Sequence, residues 1–360
     1  MPAEIDAVIT EVEGVPDLRG GTAAAPAPRP NSPRHAAIGD EAARTTPMAR
    51  TGHEKYERLI ARLQALPPTP TAVVHPCDAS SLAGAIDAAE LGIIVPILVG
   101  PPAKIRAAAA AADIDLGAYE IVAAPHSHAA AERAVELVRA GRAEALMKGS
   151  LHTDELMAAV VDRATGLRTE RRISHCFVLD VPGHDKALII TDAAINIAPS
   201  LKDKVDIVQN AIDLAHAAGI ARPKVAILSA METVNPDVAS TVEAAALCKM
   251  ADRGQITGGV LDGPLALDNA IDPEAARIKN IEGPVAGDAD ILVVPDLEAG
   301  NMLAKSLSFL AEADSAGIVL GARVPIALTS RADTVQARLA STALVALVAN
   351  HRRAQAAPVV

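Results

Sequence analysis

The sequence predicts an α/β fold organised around a mainly parallel sheet buried on both faces. Short, almost wholly apolar runs such as "IIVPILVG" (residues 93–100) and "ADILVVPD" (289–296) read as strands without a polar face. These runs alternate with helical segments along the chain, the order expected of an α/β architecture. The length, 360 residues, suggests two domains at about 150 residues each and is ample for a sizeable core.

Taken in order, residues 1–50 are rich in Pro, Ala, Gly and Thr and lack hydrophobic periodicity, so a disordered tail is expected there. A helix over 53–66 follows and stops before Pro67-Pro68. "TAVVH" (71–75) reads as a strand, 80–92 as a helix ended by Gly92, and 93–100 as a second strand. A helix over 128–141 leads to the strand "AEALMKG" (143–149). "HCFVLDV" (175–181) and "KALIITD" (186–192) read as strands, and 200–219 as a long helix with a glycine stop. The strand 224–230, helix 238–254, strand 256–263, helix 272–281, strand 289–296 and helix 299–317 continue the alternation. "IVLGA" (318–322) and "VPIALTS" (324–330) close the set of strands, and a helix over 334–355 ends the fold.

Composition excludes several classes of function. The formal net charge is −11, which argues against general nucleic-acid binding. Trp is absent and there are only two Tyr and two Phe, so bases would find almost no aromatic platform. The three cysteines, Cys77, Cys176 and Cys248, form no C-x-x-C pair, which argues against a disulfide scaffold or structural zinc. No apolar run approaches the ~18 residues a membrane span needs. The acidic start "MPAEIDAVITEVEGVPD" lacks the basic and apolar regions of a signal peptide, so a cytoplasmic protein is expected. There is no G-x-G-x-x-G after a strand, no G-x-x-x-x-G-K-[ST], no H-E-x-x-H and no G-x-S-x-G.

In open α/β sheets ligands bind beyond the carboxyl ends of strands. The polar residues there are His75 and Asp78; Lys148, Ser150, His152 and Thr153; Thr191, Asp192 and Asn196; Ser229 and Glu232; Asp262 and Asp268; Asp296, Glu298 and Asn301; and Ser330, Arg331 and Asp333. Asp262, Asp268, Asp288, Asp290 and Asp296 read as turn formers or, jointly, as metal ligands. Ser330 with Asp333 fits an S-x-x-D helix cap, which sets Arg331 in a first turn where a cation is disfavoured and an anion is favoured. Serine donors, helix N–H groups and an arginine fork together suit a phosphate group. Lys148, at the end of "AEALM", follows the same logic; each of these residues also has a plain reading as a solvated charge.

Several longer stretches go beyond generic loop polarity: "ALMKGSLHTDELM", "GLRTERRISHCFVLD", "TDAAINIAPSLKDKVDIVQNAI", "VAILSAMETVNP", "ITGGVLDGPLALDNA", "VAGDADILVVPDLEAGNMLAKSL" and "PIALTSRAD". Together, over about residues 51–352, they resemble the phosphate acetyl/butyryltransferase family. The "MKGSLHTD" form resembles its butyryltransferase-like branch. The resemblance implies two α/β/α domains with a cleft between them, of the isocitrate/isopropylmalate dehydrogenase type, in a homodimer. It implies a discontinuous first domain (51–163 plus 316–360) and a second over 164–315. The implied reaction is acyl-CoA plus phosphate to acyl phosphate plus CoA, acetyl-CoA first, by direct attack and without metal or other cofactor; coenzyme A is a substrate.

Carried onto this chain, the family's active-site Ser-Arg pair falls on Ser330 and Arg331. Arg331 is expected to meet phosphate or carbonyl oxygen, and Ser330 the oxyanion or thiol. Lys148 is read as a second phosphate clamp, and Arg168 as a contact to phosphate or CoA. His152, Thr153, Ser229 and Asn301 complete the candidate substrate-binding set. The acetyltransferase branch places a carboxylate, its thiol base, where this chain has Ala337, so Asp333 becomes the candidate base. Competing readings are a phosphate butyryltransferase, a non-catalytic acyl-CoA-sensing module, and a metal- and NAD-dependent dehydrogenase on the same fold.

Overall fold

In a computed structural model of the chain, the described residues are 60–117, 119–330 and 333–356. The expected tail and the first half of the helix expected over 53–66 lie outside them, and residues 60–63 of that helix are helical. The elements begin β1 (Thr69–Val74), α1 (Ala79–Glu90), β2 (Ile94–Gly100), α2 (Pro102–Ala111), β3 (Glu120–Ala123), α3 (Ser127–Arg139), β4 (Ala145–Lys148) and α4 (Thr153–Val161). A hairpin of β5 (Ser174–Asp180) and β6 (Ala187–Thr191) precedes α5 (Leu201–Ala217), β7 (Lys224–Leu228), α6 (Ala239–Asp252), β8 (Val260–Leu265), α7 (Leu267–Ile271) and α8 (Pro273–Ile278). The chain closes with β9 (Ile291–Val293), α9 (Leu297–Leu310), β10 (Asp314–Leu320), β11 (Ile326–Ala327) and α10 (Val335–Ala356).

The eleven strands among the described residues join one sheet in the order β3-β2-β1-β4-β11-β10-β5-β6-β9-β7-β8. Pairing is parallel from β3 to β11 and again from β6 to β8, and antiparallel where β10 meets β11, where β5 meets β10 and where β6 meets β5. The mainly parallel sheet expected from the apolar runs is therefore present. Its direction reverses in the middle, so β6, β7 and β9 run opposite to β4 and β11.

Side-chain alternation divides the core. Val73, Met147, Cys176 and Ala327 enter one apolar cluster with α1, α2, α5, α6 and α10. Val74, Leu146, Val319 and Leu328 enter another with α3 and α4. Leu179, Ile190 and Leu292 pack in a third with α7 and α9. Local chemistry sets the helix starts. The Asp78 carboxylate accepts from Ser81 N–H at 2.7 Å to cap α1, and Ser200 and Asp203 close a reciprocal capping box on α5.

Four elements lie outside the sequence reading: α2, β3, α4 and α7. Another boundary moves. The helix expected over 299–317 ends at Leu310, and residues 314–317 belong to β10, paired residue for residue with β5. Small residues give "DSAG" no strand signature of its own, and the waiting edge of β5 decides its conformation. Among the described residues no helix is long and apolar enough to cross a membrane.

Candidate active site

The parallel strands β1, β4 and β11 are neighbours, so their carboxyl ends deliver His75, Lys148 and Thr329-Ser330 to one edge of the sheet. By alternation Lys148 emerges on the face opposite Met147. Its side chain is only 2 % exposed, and Nζ donates to the Thr329 carbonyl at 3.2 Å. The buried ammonium therefore tethers the end of β11 and places a charge beneath it.

The turn after β11 is held from further sides. The Asp333 carboxylate accepts from Ser330 N–H at 2.6 Å. The Arg338 guanidinium donates to Thr329 Oγ1 and to the Ser330 carbonyl, each at 2.9 Å. Ser330 itself is exposed. The capping expectation is corrected here: α10 starts at Val335, and its cap is Thr334, whose Oγ1 accepts from Ala337 N–H at 3.1 Å. Thr334 stands one residue before the helix, where such a side chain reaches the third N–H, and Ser330 stands too early to do so. Arg331, singled out from the sequence, lies outside the described residues.

The loop after β4 packs against the end of β1. Ser150 Oγ donates to the His75 carbonyl at 2.8 Å, and His75 adopts φ +55°. Gly149 permits this approach, because a Cβ there would stand 2.5 Å from the Val74 carbonyl oxygen and 2.6 Å from that of His75. Gly149→Ala is therefore expected to destabilise the fold by about 1–3 kcal/mol, the usual range for overpacking. Urea unfolding checks this, and an unchanged midpoint would contradict the packing. Burial, with the Lys104 charge behind it, holds the His75 imidazole below its ordinary pKa.

His152 and Thr153 follow this loop: His152 is the exposed residue preceding α4, and half-buried Thr153 is the first of that helix. On the same face as Lys148 lie Leu328, Gly317 and, diagonal to Gly317 and paired with Val319, His175, which sequence reasoning did not single out. A Cβ on Gly317 would overlap the Leu328 carbonyl and stand 3.0 Å from His175 Nε2, so the imidazole lies against bare backbone. His175 is 1 % exposed, its Nδ1 has no hydrogen-bond partner among the described residues, and burial lowers its pKa to about 4. It is neutral at pH 7.

The Asp192 carboxylate accepts from the N–H groups of Ala194 and Ile195 at 3.0 Å each and from Asn196 Nδ2 at 2.5 Å, which fixes the turn after β6. Asn301, on α9, donates to the Ala193 carbonyl in that turn at 3.2 Å. Ser229 follows β7, a strand of opposite direction to β4, and shares a 2.8 Å hydroxyl contact with Ser240. Arg168 is exposed and borders a cavity of about 490 Å³ with Arg171, Arg172, Lys202, Asp203 and Asp206. The structure thus gathers Lys148, Ser330 and Asp333 around one turn, with His152 and Thr153 following the neighbouring β4 loop. Ser229, Asn301 and Arg168 belong to other segments. Asp288 and Asp290 pair with Lys186, and among the described residues no cluster of His, Cys, Asp or Glu forms a metal cradle.

A family model described as "Phosphate acetyl/butaryl transferase" matches residues 123–346. The chain belongs to the phosphate acetyl/butyryl transferase family. This transferase is 69% identical over 300 residues to a phosphate acetyltransferase of Rhizobium meliloti, covering 83% of this chain and 95% of the relative. It is 43% identical over 296 residues to a phosphate butyryltransferase of Clostridium beijerinckii, covering 82% of this chain and 98% of that one. A branched-chain phosphotransacylase from Enterococcus faecalis has the same fold at a TM-score of 0.68 and 30% identity, over 78% of this chain and 99% of that structure.

Proposed function

We propose that this transferase moves a short acyl group, acetyl first, reversibly between coenzyme A and inorganic phosphate. The observation that carries the proposal beyond family membership is the turn at Thr329-Ser330, tethered at the sheet edge by the buried Lys148 ammonium at 3.2 Å. The reaction needs two anionic substrates held in line and an oxyanion neutralised as it forms.

A phosphate oxygen attacks the thioester carbonyl carbon. The new C–O bond pushes the carbonyl pair onto oxygen, and collapse of that oxyanion breaks the C–S bond, with the electron pair leaving on the CoA sulfur. The roles assigned to Ser330 O–H and Arg331 are to neutralise the oxyanion and bind phosphate, and Lys148 adds its charge. Asp333, whose carboxylate accepts from Ser330 N–H, is assigned as the base. In the reverse direction it takes the thiol proton through the oxygen not engaged by Ser330 N–H. Arg168, with the cations beside it, suits the CoA phosphates; His152, Thr153, Ser229 and Asn301 serve as further polar contacts. No metal or other cofactor enters this scheme.

The two halves of the sheet, 51–163 with 316–360 and 164–315, act as two lobes that bring the substrates together. The protein is read as cytoplasmic and as a homodimer. Met302, Phe309 and Leu310 on α9 are 62%, 80% and 85% exposed, an apolar surface suited to a second copy. Sedimentation of wild type and Phe309→Glu checks the dimer; a monomeric wild type ends that reading.

The deciding experiment is acyl phosphate formation from acetyl-, propionyl- and butyryl-CoA with phosphate. Acetyl-CoA is expected to give the highest kcat/KM. A preference for butyryl-CoA would assign the chain to the butyryltransferase branch, and no turnover with any of them would remove the enzyme reading. A methylene is worth only ~1–3 kcal/mol in a binding pocket, so a graded profile is expected.

A further inference from the structure

The residue after Ala337 carries a side chain that points back at the candidate site. Arg338 is 1 % exposed, among the most deeply buried large side chains in the described residues. Its Nε donates to Ser80 Oγ at 3.0 Å, Nη1 to Thr329 Oγ1 at 2.9 Å and Nη2 to the Ser330 carbonyl at 2.9 Å. One planar fork thereby links α1 to the Thr329-Ser330 segment that follows β11. Helix α1 makes room for it with Gly84, where a Cβ would come within 3.0 Å of Arg338 Cβ.

The acceptors are a hydroxyl, a second hydroxyl and a carbonyl. The neighbouring carboxylates are directed elsewhere, Asp78 to Ser81 N–H and Asp333 to Ser330 N–H. A cation withdrawn from water normally requires a countercharge as well as hydrogen bonds. Lysine could not replace it, because a single ammonium cannot match three donors in a rigid fork.

We propose that Arg338 is a positioning residue for acyl transfer: it fixes the Thr329-Ser330 turn, and its charge, met here by uncharged oxygens, favours the anionic phosphate substrate above the turn. The inference rests on the reaction given under Proposed function. It separates two properties, shape and charge, which two substitutions remove differently. Arg338→Lys keeps the charge and loses the fork, whereas Arg338→Gln loses both.

The test is steady-state acyl transfer by the full chain, with kcat and phosphate KM measured separately and folding followed by circular dichroism. Arg338→Lys is expected to lose ~10–100-fold in kcat, the scale of a misplaced catalytic group, with phosphate KM little changed. Arg338→Gln is expected to lose as much kcat and also to raise phosphate KM several-fold. Thr329→Val, which deletes one acceptor at nearly constant shape, should lower kcat several-fold while its melting temperature stays within a few degrees of wild type. Folded Arg338 variants with wild-type kcat and phosphate KM would overturn the proposal. If both Arg338 variants misfold, a wild-type kcat in Thr329→Val overturns it alone. If wild type forms no acyl phosphate, the reaction reading falls, and the inference is decided by melting shifts with inorganic phosphate. Stabilisation kept by Arg338→Lys and lost by Arg338→Gln supports the charge at this site, and equal shifts in all three proteins refute it.

Discussion

Arg331→Ala is expected to lower kcat for acyl transfer by on the order of 100-fold or more, with acyl-CoA KM little changed. The residue directly follows a turn whose carbonyls are held by Lys148 and Arg338 and whose Ser330 N–H is held by Asp333. So much fixing of the Thr329-Ser330 segment serves little purpose unless the side chains that follow it must be aimed. A contact made mainly in the transition state is lost from kcat, whereas uniform binding is lost from KM. Arg331→Lys should recover only part of the rate, because a point charge cannot grip phosphate with two parallel bonds. Rates for the three proteins at saturating acetyl-CoA and phosphate decide the matter, and a fully active Arg331→Ala would remove the Ser-Arg assignment.

The second large effect is on stability. Between pH 6.5 and 4 the folded protein should weaken by roughly 3 kcal/mol through His175 alone, since its pKa falls to about 4 by burial and each unit is worth ~1.4 kcal/mol. The sign follows from proton counting. In this window the unfolded imidazole is protonated and the folded one is not, so acid favours unfolding. His75, also lowered by burial, adds in the same direction. Carboxylates held low by their donors, such as Asp203 and Asp288, withdraw their stabilisation only below the ordinary carboxylate range. Denaturant midpoints at pH 7 and pH 5 should differ in wild type and far less in His175→Gln. Equal pH dependence in the two would show that His175 is not the titrating group.

Much of this molecule was legible in the order of its residues. Apolar runs bounded by Gly and Pro announced the core strands, because strands covered on both faces have little latitude in composition. The segments missed are those with weak local character. The alanine-rich α2 and the short β3 gain their structure from a sheet edge that only the folded chain provides, and α4 begins inside a loop that reads as a polar motif. At the site, Lys148, Ser330 and Asp333 could be found because they stand at or soon after strand ends. Arg338 could not, since in "TVQARLAS" it reads as the solvated side of a helix, and its acceptor Ser80 is remote in sequence. His175 was hidden for a different reason: a polar residue inside "SHCFVLD" gives no sign of which face it takes until the register of β5 is known.

The pairing of β4 with β11 also bears on how the chain is made. Met147 aligns with Ala327, so the strand carrying Lys148 keeps one side unpaired until β11, far later in the chain, has been synthesised. The half-sheet of β5 to β9 is contiguous in sequence and can assemble earlier on the ribosome. Contacts this distant slow folding and leave an exposed strand edge in the interim. A product terminated before β11 would lack Ser330 and Arg338 and would present the bare flank of β4 to other chains. Aggregation is then the expected fate of truncated molecules, and acyl transfer becomes a readout that only completed chains can give.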